Sequence, residues 1–104
     1  MINKLKQLDQ GKLEVSAEIL RALAHPLRLT IIEFIDGHAS IHVNKIYNTL
    51  NLEQSITSQH LRILRKAKLV NTQREGKFIY YSLNYDKIHH VNNLIQGFLE
   101  KNEI

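Results

Sequence analysis

The stretch EQSITSQHLRILRKAKL, which runs from Glu53 to Leu69, decides the fold of this chain. At 3.6 residues per turn it separates into two faces. One face is apolar apart from a histidine and consists of Ile56, His60, Ile63, Leu64 and Ala67, with Leu61 near its edge. The other face is polar or basic and consists of Gln54, Ser55, Ser58, Gln59, Arg62, Arg65 and Lys66. The pattern predicts an amphipathic helix that buries the first face and exposes the second.

The polar face has an unusual charge pattern, because it carries no acidic residue after Glu53. A solvated helix face usually mixes charges of both signs. Glutamine can donate and accept hydrogen bonds along the edge of adenine, and serine can contact several bases. Arginine and lysine neutralise phosphates and set the register on a duplex. We interpret the segment as a recognition helix in the major groove of DNA, with a surface helix that happens to lack acids as the alternative.

The composition is that of one globular domain spanning residues 1–104, with 43% hydrophobic and 23% charged residues. The net charge of +4 and the pI near 9.5 favour a polyanionic partner. The chain has no cysteine, which excludes disulfides and thiolate metal sites. No apolar run approaches the roughly 20 residues that span a bilayer, and the first residues lack the apolar centre of a signal peptide. A cytoplasmic protein without a membrane partner is expected.

The residues before this segment predict two helices separated by a proline. The first runs from Leu13 to Ala24, and its inward stripe is Ala17, Leu20, Leu23 and Ala24. Proline disfavours helix at His25 and suits the first turn of a second helix from about Pro26 to Ile35, which Gly37 can end. The inward residues of the second helix are Leu27, Ile31, Phe34 and Ile35.

A third helix directly precedes the recognition helix, after a connector or short strand at residues 38–41. Its apolar residues are Val43, Ile46, Tyr47 and Leu50. Asn51 tolerates a left-handed conformation and can end it. Two helices joined by about three or four residues are typical of a helix-turn-helix, here about residues 42–67. Glu53 is a poorer N-cap than serine, so we expect a soft start to the recognition helix.

After Leu69 the apolar period changes from 3.6 to 2, which predicts a β-hairpin over about residues 69–83. The hairpin turns at Glu75-Gly76 and continues into the β-prone run KFIYYSL. Its tip carries Arg74, Glu75 and Lys77, so the tip is basic overall. A hairpin directly after a recognition helix is the wing of a winged helix, and a hairpin that only covers the core is the alternative.

The last segment predicts a helix with more apolar residues than a small domain needs. Asn84 is a good N-cap, and Asp86 suits the first turn. The apolar stripe consists of Ile88, Val91, Leu94, Ile95, Phe98 and Leu99. We expect this stripe to be shared with a partner subunit, with purely intramolecular packing as the alternative. The predicted fold is a mainly α winged helix-turn-helix with a β-hairpin wing (α+β) and about five helices, dimerising through residues of about 1–24 and 84–104.

Three segments together resemble the ArsR/SmtB transcriptional repressors: LAHPLRLTIIEFI (Leu23 to Ile35), EQSITSQHLRILRKAKLV (Glu53 to Val70) and REGKFIYYSL (Arg74 to Leu83). The resemblance covers nearly the whole chain from about Ala17 onward. It implies a homodimeric winged helix that binds an imperfect inverted repeat in a double-stranded DNA operator and represses the adjacent promoter. It also implies an inducer that releases the DNA, which the sequence does not identify.

The resemblance assigns roles to individual positions. The residues that contact bases in this family correspond to Gln54, Ser55, Ser58 and Gln59. Arg62, Arg74 and Lys77 would hold phosphates or enter the minor groove, together with Arg65 on the same helix. His60 occupies the family's usual histidine position at the base of the helix. Arg28 matches an arginine that opens a helix, as a structural residue or a backbone contact.

The chain departs from the family at the positions that sense metals. Many members place a Cys-x-Cys pair at the start of the third helix, where this chain has His42 and Asn44. Others bind zinc through an Asp and a His two and four residues after the wing, where this chain has Tyr85 and Lys87. No cofactor is therefore expected.

A shifted zinc site remains an alternative, which would make the chain a zinc-responsive repressor. His89, Glu100 and Glu103 repeat the family's spacing of eleven and then three residues, and Asp86 lies nearby. Two carboxylates with histidine could hold a divalent ion. The match needs a two-residue shift, and a solvated helix face explains the same residues.

Two further functional classes are weaker. The six histidines show no HExxH or other tight ligand pattern, and no aspartate is spaced to orient a Ser–His pair, so an enzyme is not expected. A winged-helix protein-interaction module without DNA binding would predict an acidic or apolar recognition face, which this sequence lacks.

Overall fold

Five helices and a three-stranded sheet make up the described part of a computed structural model, which covers residues 10–102 and the side chains of residues 17–97. In chain order the elements are α1 Gln10–Leu23, α2 Pro26–Asp36, β1 Ile41–His42, α3 Val43–Thr49, α4 Gln54–Lys66, β2 Val70–Glu75, β3 Phe78–Leu83 and α5 Tyr85–Asn102. The sheet is antiparallel in the order β1-β3-β2. This architecture confirms the predicted winged helix-turn-helix. None of the helices within residues 10–102 has the length and apolar character needed to cross a membrane.

The boundary between α1 and α2 is set by the His25-Pro26 pair. Pro26 opens α2, and Nδ1 of His25 accepts a hydrogen bond of 3.1 Å from the backbone N–H of Leu27. His25 is therefore an N-cap, a role that sequence reasoning did not assign to it. The predicted inward face of α2 is confirmed, since Ile31 and Ile35 are fully buried.

The inward face of α1 differs from the prediction. Ile19 and Ala22 are buried and Leu23 is half-buried, whereas Ala17, Leu20 and Ala24 are exposed. The prediction of Ala17, Leu20 and Ala24 as inward residues was therefore wrong. Both sets have helical spacing, so periodicity alone cannot choose between them. Packing against the buried cluster that includes Ile31 and Val91 selects the first set.

The connection between α3 and α4 depends on a left-handed residue. Asn51 has a φ of 55°, which confirms the predicted helix end, and the N–H of Leu52 donates to the carbonyl of Tyr47 at 2.8 Å. Glu53 then caps α4 without a side-chain hydrogen bond, as its poor capping character predicts.

The wing is a hairpin with a two-residue turn at Gly76 and Lys77, since Glu75 pairs with Phe78. Gly76 has a φ of 62°, which suits glycine in such a turn. The short strand β1 pairs with β3 on the other side, placing Ile41 opposite Tyr81.

One asparagine joins the end of the recognition helix to the start of α5. The Nδ2 of Asn84 donates to the carbonyl of Lys68 at 3.0 Å, and its Oδ1 accepts from the N–H of Lys87 at 3.2 Å. This confirms Asn84 as the N-cap of α5. Lys68 has a φ of 61°, which turns the chain from α4 into the sheet and was not predicted.

We expect Asn51→Ile to lower the free energy of unfolding by about 1–2 kcal/mol, because a β-branched residue is disfavoured at a positive φ. Asn51→Gly should lose no stability, since glycine adopts this conformation freely. Equilibrium urea unfolding measures both effects. Asn48→Ile is the matched control, because Asn48 is exposed on α3, and it should cost less than about 0.5 kcal/mol. Equal losses at both positions would contradict the argument.

Candidate nucleic-acid interface

The side of the recognition helix α4 that faces the core differs from the side predicted from sequence by a rotation about the helix axis. The buried residues of α4 are Thr57, Leu61 and Leu64, and the C-cap residue Ala67 is buried as well. Ile56 and Ile63, which were predicted to be inward, are 40% and 41% exposed. Leu61, which was placed at the edge, lies fully buried. The assignment of Ile56 and Ile63 to the core was therefore wrong.

The prediction and the structure differ because Thr57, a residue with a polar side chain, is buried in the core. Thr57 is 0% exposed, and its hydroxyl donates a hydrogen bond of 2.9 Å to the carbonyl of Glu53 one turn earlier. A hydroxyl satisfied by its own helix can be buried at little cost. Thr57 was placed on neither face from the sequence, so the predicted inward side of α4 was shifted toward Ile56 and Ile63.

The residues predicted to contact DNA all lie at the surface. The six on α4, which we call the recognition surface, are exposed: Gln54, Ser55, Ser58, Gln59, Arg62 and Arg65. Amide and hydroxyl groups occupy the first two turns of this surface, and the guanidinium groups follow. No acidic side chain lies within α4, so the surface presents hydrogen-bonding groups and positive charge together.

The wing tip adds two exposed cations, Arg74 and Lys77. Nε of Arg74 donates to the carbonyl of Gly76 at 3.3 Å, and Nζ of Lys77 lies 5.6 Å from the ring centroid of Phe78. These contacts restrain both side chains beside the turn. Only residues 67–69 separate α4 from β2, so the wing starts directly at the C-terminal end of the recognition helix.

Arg28 connects the recognition helix to the end of α1. Its Nε and Nη2 donate to the carbonyls of Ala22 and Arg21 at 2.7 and 2.9 Å, and its Nη1 lies 3.3 Å from Nδ1 of His60. The two carbonyls belong to the last turn of α1, where backbone acceptors lack helical partners. Arg28 is thus a structural residue at the junction of α1, α2 and α4, which agrees with one of the two roles left open for it.

This junction favours the neutral form of His60. Burial lowers the pKa of His60, and the neighbouring His25 and Arg28 lower it further. The rings of His25 and His60 lie 4.7 Å apart. Since arginine can only donate, Nδ1 of His60 must accept, which places the ring proton on Nε2. The half-buried position of His60 agrees with its expected place at the base of the helix.

An open groove of about 630 Å³ lies between α1 and α4. Its lining is mostly charged and consists of Glu18, Arg21, Ala22, Arg28, Ile63 and Lys66. Ile63 therefore faces a groove beside α1 and lies two turns along the helix from Ile56.

The candidate residues of the shifted zinc site lie only partly within the described residues. Asp86 and His89 are exposed on α5, whereas the side chain of Glu100 and all of Glu103 lie outside the described residues. Among the side chains at positions 17–97, no three histidine or acidic residues are arranged to hold a metal ion. His42, at a family thiolate position, packs against Phe78 and Tyr80 with ring centroids 5.3 and 5.7 Å away. The zinc alternative stays a prediction.

Comparison with protein families gives one match that covers this region. The sequence model of the arsR family of bacterial regulatory proteins matches residues 25–72, from the start of α2 into β2. The chain is also 37% identical over 89 residues to the transcriptional repressor PagR of Bacillus anthracis, covering 86% of this chain and 89% of PagR.

Solved structures show the same fold. The crystal structure of PagR from Bacillus anthracis superimposes with a TM-score of 0.68 at 38% identity, covering 84% of this chain and 99% of that one. The solution structure of a homodimeric winged helix-turn-helix DNA-binding domain from Mycobacterium bovis, a possible ArsR-family regulator, gives a TM-score of 0.74 at 25% identity and covers 94% and 92% of the two chains.

We expect the stability of the folded chain to depend on the protonation of His60. Because its pKa is lower in the folded than in the unfolded chain, the unfolded chain binds more protons between the two values. This contribution is complete above about pH 6.5 and is lost as the pH falls toward the folded-state pKa. Urea unfolding near neutral and mildly acidic pH should show a smaller loss on acidification for His60→Gln than for the unchanged chain.

Glutamine suits this test because it keeps an oxygen acceptor for Arg28 without titrating. His90→Gln, an exposed position on α5, is the control and should keep the original pH dependence. If His60→Gln retained the full loss of stability on acidification, the junction would not be the source of it.

Proposed function

The chain belongs to the arsR family of bacterial regulatory proteins, and we propose that it is a homodimeric repressor that binds an imperfect inverted repeat in duplex DNA until a signal releases it. The observation that carries the proposal is the exposed, acid-free recognition surface on a helix whose opposite face is fully buried. We propose a regulator rather than an enzyme, since its relatives are named as regulators.

The recognition surface divides into two kinds of contact. Gln54, Ser55, Ser58 and Gln59 occupy the first two turns of α4 and would hydrogen-bond to base edges in the major groove. Arg62 and Arg65 follow and would contact phosphates, which fixes the helix in register. Arg74 and Lys77 at the wing tip would contact a phosphate or the adjacent minor groove. The affinity of such a surface depends strongly on salt, because each neutralised phosphate releases counterions.

The proposed dimer surface consists of Leu20 on α1 with Leu94 and Ile95 on α5. Leu20 is 49% exposed and Leu94 is 55% exposed, whereas Ile19 and Val91 on the same helices fill the core. Each terminal helix thus carries a second apolar face beyond the one that the core uses. Burial against the same face of another copy would remove this apolar surface from water. The homodimeric state of the Mycobacterium bovis relative supports the proposal of a homodimer.

A dimer would place one recognition helix in each of two successive major grooves, with half-sites about one helical turn or a multiple apart. A gel shift with the chain's own promoter tests this directly, since a repressor should bind it selectively over unrelated duplexes. A winged-helix module that binds only proteins would show no selective shift at moderate salt.

We expect Gln59→Ala and Lys77→Ala to weaken DNA binding in different ways. Gln59→Ala removes two hydrogen bonds to one base. It should therefore weaken the binding free energy on the preferred site by about 1–3 kcal/mol and relax selectivity at one base pair. Lys77→Ala removes a phosphate contact, so it should weaken binding to all sequences and reduce the salt slope by about one unit. Fluorescence anisotropy over a salt series, on preferred and altered duplexes, measures both.

Gln96→Ala is the control for Gln59→Ala, because Gln96 is an exposed glutamine on α5, away from the recognition surface. It should leave affinity and selectivity unchanged. If Gln59→Ala and Lys77→Ala both left the affinity for the preferred duplex intact, the recognition surface would be assigned wrongly.

We expect Leu94→Asp to shift the chain from dimer to monomer. A carboxylate at this position would be buried against the partner without a compensating charge, in addition to the lost apolar contact. The dissociation constant of the dimer should rise at least about tenfold, as measured by light scattering over a concentration series. Leu29→Asp is the matched control, because Leu29 is 44% exposed but lies on α2. A dimer that survives Leu94→Asp but not Leu29→Asp would place the interface elsewhere.

A further inference from the structure

Ile56 is an apolar side chain on the exposed side of the recognition helix. It is exposed although it lies one residue from the fully buried Thr57. At 100° per residue, Ile56 and Gln59 lie about 60° apart around the axis, so they are neighbours on the helix surface. The isoleucine therefore belongs to the edge of the recognition surface rather than to the core.

The apolar surface proposed for dimerisation does not account for Ile56. Leu20, Leu94 and Ile95 lie on α1 and α5, whereas Ile56 lies in the first turn of α4. Ile63 lies on the same flank of α4, since seven residues return to within about 20° of the same direction. However, Ile63 lines the groove against α1, together with Arg21 and Lys66. The two isoleucines thus have similar exposure but different surroundings.

In the major groove, the one apolar group that Ile56 could contact on a base edge is the methyl group of thymine. The edges of the base pairs there carry hydrogen-bond donors and acceptors, and thymine alone adds a methyl group at C5. Glutamine and serine recognise the polar groups, whereas an aliphatic side chain gains by burying the methyl group. An isoleucine beside Gln59 is suited to distinguish thymine from cytosine at the same step.

We propose that Ile56 reads a thymine through contact with its 5-methyl group, next to the base pair contacted by Gln59. This inference rests on the proposed function, because it requires α4 to lie in the major groove. It adds an apolar determinant of specificity to the polar residues that the sequence pattern identified. It also assigns a role to the residue that periodicity placed in the core.

The test uses the full chain and a preferred duplex selected from a random pool, in which each thymine of a half-site is replaced in turn by deoxyuridine. This exchange removes the methyl group and leaves the base-pairing edge unchanged. We expect one thymine whose replacement weakens binding about three- to fivefold, as the loss of one buried methyl group predicts. In Ile56→Ala, binding to the unmodified duplex should weaken similarly, and deoxyuridine at that thymine should cause no further loss.

Ile63→Ala is the matched control, because it makes the same substitution at a residue of equal exposure on the same flank of α4. It should retain the full penalty for deoxyuridine. Thermal unfolding of both variants checks that the fold is retained.

The possible failures are distinguishable. In one of them, the chain binds DNA selectively while no thymine shows a deoxyuridine penalty that disappears in Ile56→Ala. That result overturns this inference and leaves the proposed function standing. The same loss of methyl sensitivity in Ile63→Ala also overturns it, because the effect would then come from the helix as a whole. A chain that selects no duplex from the pool overturns the proposed function and the inference with it.

Discussion

The guanidinium group of Arg28 holds the first helix and the recognition helix to one point of the fold. Two of its N–H groups donate to carbonyls in the last turn of α1, and a third faces the ring of His60 on α4. A guanidinium is planar, so its donors cannot be redirected one by one. A rotation of α4 relative to α1 would leave a half-buried donor without a partner, which costs more than a hydrogen bond is worth. The orientation of the recognition surface depends on this junction.

The second constraint on the recognition helix is the face that it buries. Leu61 and Leu64 are fully buried with Thr57, so the opposite side of α4 must face solvent. The amide, hydroxyl and guanidinium groups occupy that side. The orientation of α4 about its axis thus decides both which residues it buries and which it exposes, so the core face and the recognition surface cannot change independently.

Four helices carry more apolar residues than the core of one small domain takes up. Exposed examples are Leu20 on α1, Leu29 on α2, Ile56 on α4 and Leu94 on α5. A chain of 104 residues has a large surface for its volume, so it buries only part of its apolar side chains by folding alone. We propose that Leu20 and Leu94 contact a second copy of the chain and that Ile56 contacts DNA. In this proposal, a dimer and a DNA complex would complete the burial of apolar surface that folding begins.

The sequence by itself determined the elements and their order, because period, turn residues and caps act locally. Pro26, Asn51, Gly76 and Asn84 mark helix and hairpin ends where they were predicted, and the polar residues of α4 were identified from their spacing. Only the tertiary structure decided which side of α1 and α4 faces inward. Two apolar stripes with equal helical spacing are indistinguishable by pattern, and packing selects Ile19 and Ala22 on α1. The burial of Thr57 and the junction at Arg28 join groups that are not recognisable as partners in the sequence, since a threonine looks polar until its hydroxyl is satisfied and Arg28 lies 32 residues from His60.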